Sequence, residues 1–310
     1  MNNYLPEGIL YQSASNREII SNALLLREAA AKQTVVEARA STCDFQHNLI
    51  VDMPAMKGII PREEGAVGIK EGNVRDIALI SRVNHPVCFL VKKIIKADDG
   101  SDLALLSRRD AQSLCLQNYI SRLCPGDIID ARVTHLEPFG AFCDIGCGVA
   151  SLISIDCISV SRIFHPSDRF FVGQNIKAVI KSREPDGRIN LTHKELLGTW
   201  QENASLFSQG ETVSGIIRTV ESYGCFVELT PNLAGLAEPK AGAIPGAQAS
   251  VFIKSILPDK MKIKLIIVDC FMAEYSPKPL RYFECEGRIS RWDYSPPLCK
   301  KQIFTDFEAC

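Results

Sequence analysis

Four aromatic side chains, arranged in two pairs, are the residues of this chain best suited to act on a flat ligand. Phe139 and Phe142 flank Gly140, and Tyr223 and Phe226 flank Gly224. An aromatic ring held at a surface can stack on an unpaired nucleobase, at about 1–3 kcal/mol per base by alanine substitution. The glycine between the rings allows a sharp bend and keeps a Cβ out of the way of a neighbouring backbone. Residues three apart on a regular strand point to opposite faces. The rings of each pair therefore share a face only where the glycine introduces a bend or bulge. Without one, Phe142 and Phe226 belong to a core, and the sequence leaves both placements open.

The elements that must carry these rings occur more than once. Residues 126–146 read GDIIDARVTHLEPFGAFCDIG and residues 210–230 read GETVSGIIRTVESYGCFVELT. They align without a gap, so that Gly126 meets Gly210, Phe139 meets Tyr223, Phe142 meets Phe226 and Asp144 meets Glu228. A repeat of this kind marks one structural unit used again. Strand-like runs follow in the same order each time, with hairpin turns at Asp98-Asp99-Gly100, at Pro185-Asp186-Gly187 and at Pro258-Asp259. Five short strands in about seventy residues suit a partly open Greek-key barrel of the OB type. The expected architecture is mainly β: three tandem five-stranded OB-fold barrels with short connecting helices. The expected organisation is an N-terminal helical segment at 1–33, a first barrel with its linking helix at 34–123, barrels at 124–200 and 201–270, and an aromatic extension at 271–310. Residues 15–32 read as one helix with a Ser15–Glu18 capping box. Within the extension, 282–290 reads as a further strand, and the segment, which also holds Tyr275, is expected to fold back on the third barrel.

Composition narrows the function classes. Thirty-five basic and 36 acidic residues leave a formal net charge of −1, so any attraction for a polyanion must be local. The twelve cysteines are scattered and form no CxxC pair. No apolar run reaches the roughly 20 residues that span a bilayer. The N-terminus has no signal-peptide pattern. These features imply a reduced, cytoplasmic protein without disulfides and without a membrane partner. The chain contains no GxxxxGK[ST], HExxH or GxSxG motif. His135 and His165 lack ligand-pair spacing, which leaves Cys270, Cys285, Cys299 and Cys310 as the remaining refuge for zinc. His193-Lys194-Glu195 sits at a helix start rather than in a general-base setting. No catalysis, no cofactor and no metal are expected.

The middle unit resembles the RNA-binding domain of the ribosomal protein S1 family. The residues that carry the resemblance are GDIIDARVTHLEPFGAFCDIG, VASLIS, RIFHPSDRFFVGQNIKAVI and the closing DGRINLT, spread in order across a whole domain. The third unit is similar through VESYGCFVELTPNLAGLAE and KMKIKL. The first keeps the rhythm without the aromatic pair: His47 and Ile50 fall where the rings belong, and Asp102 or Leu103 where a basic residue belongs. The resemblance implies RNA contacts at Phe139, Phe142, Ser154 and Arg188 in the middle unit, and at Tyr223, Phe226 and Lys262 in the third. Glu238 holds the strand-three position corresponding to Ser154, and would repel a phosphate. Arg132, Arg162, Lys181 and Arg183 enlarge the basic rim or simply face solvent. The resemblance further implies single-stranded RNA as partner, weak sequence preference, a role in translation and the small ribosomal subunit as a second partner. The rival reading is a protein-interaction scaffold in which RNA is incidental, and the near-zero charge, Glu238 and the altered first unit favour it.

Overall fold

The computed structural model describes residues 4–97, 99–273 and 279–307; Asp98, Tyr275 and Cys310 lie outside the described residues. Three closed five-stranded barrels follow one another along the chain, as the alternating patterns require. The first is built from β1 (Val36–Cys43), β2 (Leu49–Asp52), β3 (Lys57–Ile60), β4 (Pro86–Lys96) and β5 (Asp102–Ser107), in the order β1-β2-β3-β5-β4. The second uses β6 (Ile128–Glu137), β7 (Gly140–Asp144), β8 (Ala150–Ser154), β9 (Asn175–Arg183) and β10 (Ile189–Thr192). The third uses β11 (Thr212–Glu221), β12 (Gly224–Thr230), β13 (Leu233–Ala237), β14 (Gln248–Leu257) and β15 (Lys262–Phe271), in the order β11-β12-β13-β15-β14. β15 alternates strictly at first: Ile263, Leu265 and Ile267 are buried while Lys262, Lys264 and Ile266 face out. That period of two is what wraps an apolar interior in a polar exterior.

Two compact units divide the chain: Met1–Leu123 with Asp130–Arg132 and Asp144–Ala150, and Cys124–Ile129 with Val133–Cys143 and Ser151–Cys310. In the first unit, residues 15–32 do not form the single expected helix. α1 (Ala14–Ser21) and α2 (Ala23–Ala31) are separated by Asn22, whose side chain accepts from Leu24 N–H and Leu25 N–H. An asparagine that caps its own following turn ends one helix and starts the next. α1 is itself capped by Ser13 rather than Ser15. α4 (Arg108–Asn118), after the short α3 (Ile77–Ile80), begins at the Ser107 cap and packs on β4.

Beneath these helices lies a buried acidic cluster. Glu7 takes a two-point grip from Arg108, Nε to Oε1 at 2.7 Å and Nη2 to Oε2 at 2.9 Å, and accepts from Cys88 N–H. Burial opposes the charge on Glu7, but Arg108 and Arg82 outweigh it and hold the carboxyl below its usual range. Asp144 accepts from the backbone of Glu7, Gly146 and Gly148; burial and the Glu7 charge push its carboxyl up to about 7. Glu37 Oε2 accepts from Gly8 N–H and Tyr11 N–H, whereas Oε1 is buried with no partner among the described residues. Burial pushes the Glu37 carboxyl up to about 8.

The second unit ties its two barrels together with charge and with the C-terminal extension. Glu228 on β12 receives Arg218 Nε at 2.7 Å and Arg169 Nη2 at 2.5 Å; Arg218 also reaches Asp168 at 3.3 Å. Arg169, Arg218 and Glu228 are all buried. α5 (Trp200–Ala204), opened by a Thr199–Glu202 capping box, places Trp200 in the third barrel's core. Residues 282–290 are not the expected strand. They attach point by point: Phe283 N–H to the Leu196 carbonyl, Ile289 N–H to the Gly126 carbonyl, and Ile128 N–H to the Gly287 carbonyl. No continuous neighbour is offered, so no ladder forms. A two-stranded sheet follows instead, β16 (Arg291–Asp293) with β17 (Phe304–Asp306). Trp292 and Tyr294 enter the third barrel's core, as expected of the extension, while Phe307 joins Val179 and Leu196 in a separate apolar cluster. Cys124 is disulfide-bonded, a departure from the expectation that every cysteine stays a thiol.

Glu37 gives the first prediction. The folded carboxyl keeps its proton up to about pH 8, whereas an unfolded one releases it near 4.5. The folded chain therefore binds more protons between those values. Glu37's contribution is fully present below about 4.5 and is lost as pH rises towards 8, at about 1.4 kcal/mol per tenfold difference in proton affinity. Glu37→Gln is expected to flatten that fall, so the difference in melting temperature (variant minus parent) should grow between pH 5 and pH 8. A pH-independent difference would refute the assignment.

Candidate nucleic-acid interface

The two aromatic pairs have nearly the same geometry. Phe139 and Phe142 meet edge to face at 6.0 Å and 88°, and Tyr223 and Phe226 at 6.3 Å and 89°. Phe139 is 55% exposed and Tyr223 63%, while Phe142 and Phe226 are half-buried. The rings of each pair thus share the outer face, and neither inner ring belongs to the core. Phe139 and Tyr223 stand in the turns just before β7 and β12, so the period-two rule of a strand does not set them opposite Phe142 and Phe226. In the third barrel the β11–β12 register slips between Ile217 and Thr219, which puts Thr219 opposite Phe226.

The glycines are required by close approach. A Cβ on Gly140 would lie 2.4 Å from the Ile153 carbonyl oxygen, and one on Gly224 2.4 Å from that of Ala237. The same Cβ atoms would meet Leu152 in the middle barrel and Leu236 in the third. The two turns are therefore built alike, each resting on the third strand of its barrel. Gly140→Ala and Gly224→Ala are expected to force backbone shifts costing about 1–3 kcal/mol, as overpacking does. Urea denaturation of each variant checks this, and an unchanged midpoint would refute it.

The other residues expected to contact RNA are Ser154, Arg188 and Lys262. Ser154 stands beside Gly140, and Ile155 N–H donates to the Phe139 carbonyl at 2.9 Å, so the serine is brought to the ring pair. Arg188 lies at the start of β10, highly exposed, with Nε on Asp186 Oδ2 at 2.6 Å within its own turn. Lys262 opens β15, paired with Leu257. Glu238 is exposed and 3.7 Å from Lys254, which offsets part of its charge. Of the suggested rim, Lys181 donates to Cys157 Sγ instead of facing a ligand.

Three residues beyond the expected set belong to the same face. His135 lies 6.4 Å from Phe142 with the rings tilted by 31°, and is paired with Glu137 at 2.8 Å. The signal was in the repeat: the gapless alignment sets His135 on Thr219, the residue opposite Phe226. The other two are on the fifth strands. Phe226 pairs with Leu236 and Leu236 with Lys264, and in the middle barrel Leu152 pairs with Asn190. The matching row of the first barrel is Ile50, Ile59 and Leu105, which carries neither ring nor cation. His193, by contrast, is buried between the Ile158 carbonyl and the Tyr282 hydroxyl; burial lowers its pKa to about 4 and it stays neutral.

Residues 123–194 match the S1 RNA binding domain family. That stretch of the chain is an S1 domain. It holds the middle barrel, from Ile128 on β6 to Thr192 on β10. The chain is 30% identical over 194 residues to small ribosomal subunit protein bS1 of Leuconostoc lactis, covering 61% of this chain and 43% of the relative. It is 28% identical over 259 residues to the protein of that name in Staphylococcus epidermidis, covering 78% of this chain and 63% of the relative. The chain thus spans less than two thirds of either relative's length. Among solved structures it is similar to a multidomain protein with nucleic acid binding domains from Streptococcus pneumoniae, at 13% identity and a TM-score of 0.25, covering 79% of this chain and 73% of that one. Among the described residues, no helix is long and apolar enough to cross a membrane, and no group of three or more His, Cys, Asp or Glu residues could hold a metal ion.

Proposed function

We propose that this chain binds single-stranded RNA in the cytoplasm, in the setting of translation, with the S1 domain as its main site and the third barrel assisting. The observation that carries the proposal is the repeated edge-to-face ring pair, with Phe139 and Tyr223 open to solvent beside a strand that bears polar or basic side chains. Bases stack on Phe139 and Tyr223, with Phe142 and Phe226 buttressing them. Ser154, Arg188 and Lys262 hold phosphates or sugars, contacts that position a strand without reading it. Two such sites on one strand raise each other's effective concentration. The names of the bacterial relatives support the small ribosomal subunit as the site of action. No catalytic step and no cofactor enter this reading.

A second reading has its own support, in the first barrel. Its outer row of Ile50, Ile59 and Leu105 is suited to an apolar protein contact and not to a phosphate, so this barrel acts as the docking module. The deciding measurement is fluorescence anisotropy with a labelled single-stranded RNA at two salt concentrations. The parent should bind in a salt-dependent way, and Phe139→Ala/Arg188→Ala should weaken binding by about tenfold or more. A folded parent that binds no RNA would leave the docking role as the function of the whole chain.

A further inference from the structure

The fifth-strand residue that completes each outer row differs between the two ring-bearing barrels, and its chemistry differs in kind. In the third barrel the row Phe226–Leu236–Lys264 ends on an exposed ammonium with no ion-pair partner among the described residues. In the S1 domain the corresponding position after Leu152 is Asn190, an amide. Asn190 Nδ2 donates to Glu184 Oε1 at 2.7 Å and to Ser182 Oγ at 3.3 Å. A carboxylate can only accept, so the nitrogen of the amide must be the end that faces Glu184. Both Nδ2 hydrogens are thereby committed to Ser182 on β9 and to Glu184 just after it. The amide cannot flip without setting its own oxygen against the carboxylate. Oδ1, with no partner among the described residues, is left on the other side as a fixed acceptor.

We infer that Asn190 is a base-reading residue, oriented by Glu184, whereas Lys264 is a sequence-blind phosphate contact. This rests on the RNA reading above and deepens it by dividing the labour between the barrels. A fixed acceptor two residues along the strand from Arg188, about 7 Å away, lies within one nucleotide of a phosphate contact. It accepts from an exocyclic amine, the N6 of adenine or the N4 of cytosine, whereas uracil offers it only the ring N3–H, set between two carbonyl oxygens that oppose it. An ammonium donates to any phosphate, and its removal weakens all sequences alike.

The test measures anisotropy of the full chain with labelled oligo(A), oligo(C) and oligo(U) of roughly twelve nucleotides, within the site size of such barrels. The parent should prefer oligo(A) and oligo(C) to oligo(U) by about fivefold, the worth of one hydrogen bond. Asn190→Lys should erase that ratio and steepen the slope of log affinity against log salt by about 0.7. Lys264→Asn should make the slope shallower by about 0.7 and leave the ratio intact. Glu184→Ala keeps the Asn190 side chain but frees its amide to turn, so it should lower the ratio without abolishing binding. Equal binding of all three oligomers by the parent, or a ratio that survives in Asn190→Lys, overturns the inference. A parent that binds none of them overturns the RNA reading itself, a separate result.

Discussion

One carboxylate holds the second unit together. Glu228 stands between two buried guanidinium groups, Arg169 from the loop before β9 and Arg218 from β11. Taking three charges out of water is costly, and their attraction offsets that cost only when the geometry is good and further bonds satisfy the remaining protons. Here Arg218 finds Asp168 with its Nη1, whereas Arg169 keeps its Nε unpartnered among the described residues. Such a cluster contributes little net stability compared with an apolar contact of the same size, but it tolerates only one arrangement of its members. It acts across a junction between barrels, where an apolar patch would permit sliding. The extension adds a second set of ties through Trp292, Tyr294 and Phe307. Both sets of ties lie within the second unit.

Across the three barrels, one backbone plan carries three different faces. The same register places Ile50, Phe226 and their partners at the same point of a barrel, because the strand pairings and the slip before Thr42 or Thr219 are alike. The interior is therefore indifferent to what the outer row carries. Replacing rings by aliphatic groups, or an amide by an ammonium, costs the barrel nothing in packing, since each position alternates with a buried neighbour. Function can change barrel by barrel while the core stays constant. This is why the fold alone says little about which barrel touches RNA, and the outer row says more.

The barrels were legible in the sequence because period-two alternation and turn residues are local signals, and they repeat. The ring pairs were legible for the same reason, although their common face was not. It depends on Phe139 and Tyr223 falling in the turns rather than on the strands that follow them. Asn190 and Lys264 were missed because the rows they complete run across strands distant in sequence, and only the pairing shows who stands beside whom. The extension was misread at 282–290 for a related cause. Its residues allow a strand, yet it is held by separate anchors, among them Tyr282, with its hydroxyl on His193 Nε2 and on Lys177 N–H. The break at Asn22 and the bonded Cys124 depend likewise on choices between local options that composition leaves equal.

On the RNA reading proposed above, a net charge of −1 is no obstacle to a polyanion, because the cations assigned to it are available at little cost. Arg188 is paired only with Asp186, in its own exposed turn. An exposed pair of this kind is worth about 0–1 kcal/mol, so exchanging the carboxylate for a phosphate costs little. Asp186 remains nearby after the exchange and limits the gain, which favours weak, reversible contact over tight clamping. Lys262 and Lys264 have no ion-pair partner among the described residues, so the third barrel loses nothing to such an exchange. On the RNA reading proposed above, the S1 domain's hold on a strand rests on its rings, its amide and an Arg188 partly neutralised by Asp186, and the third barrel's rests more on charge. High salt should thus weaken the third barrel's grip first and leave the S1 domain as the last point of attachment.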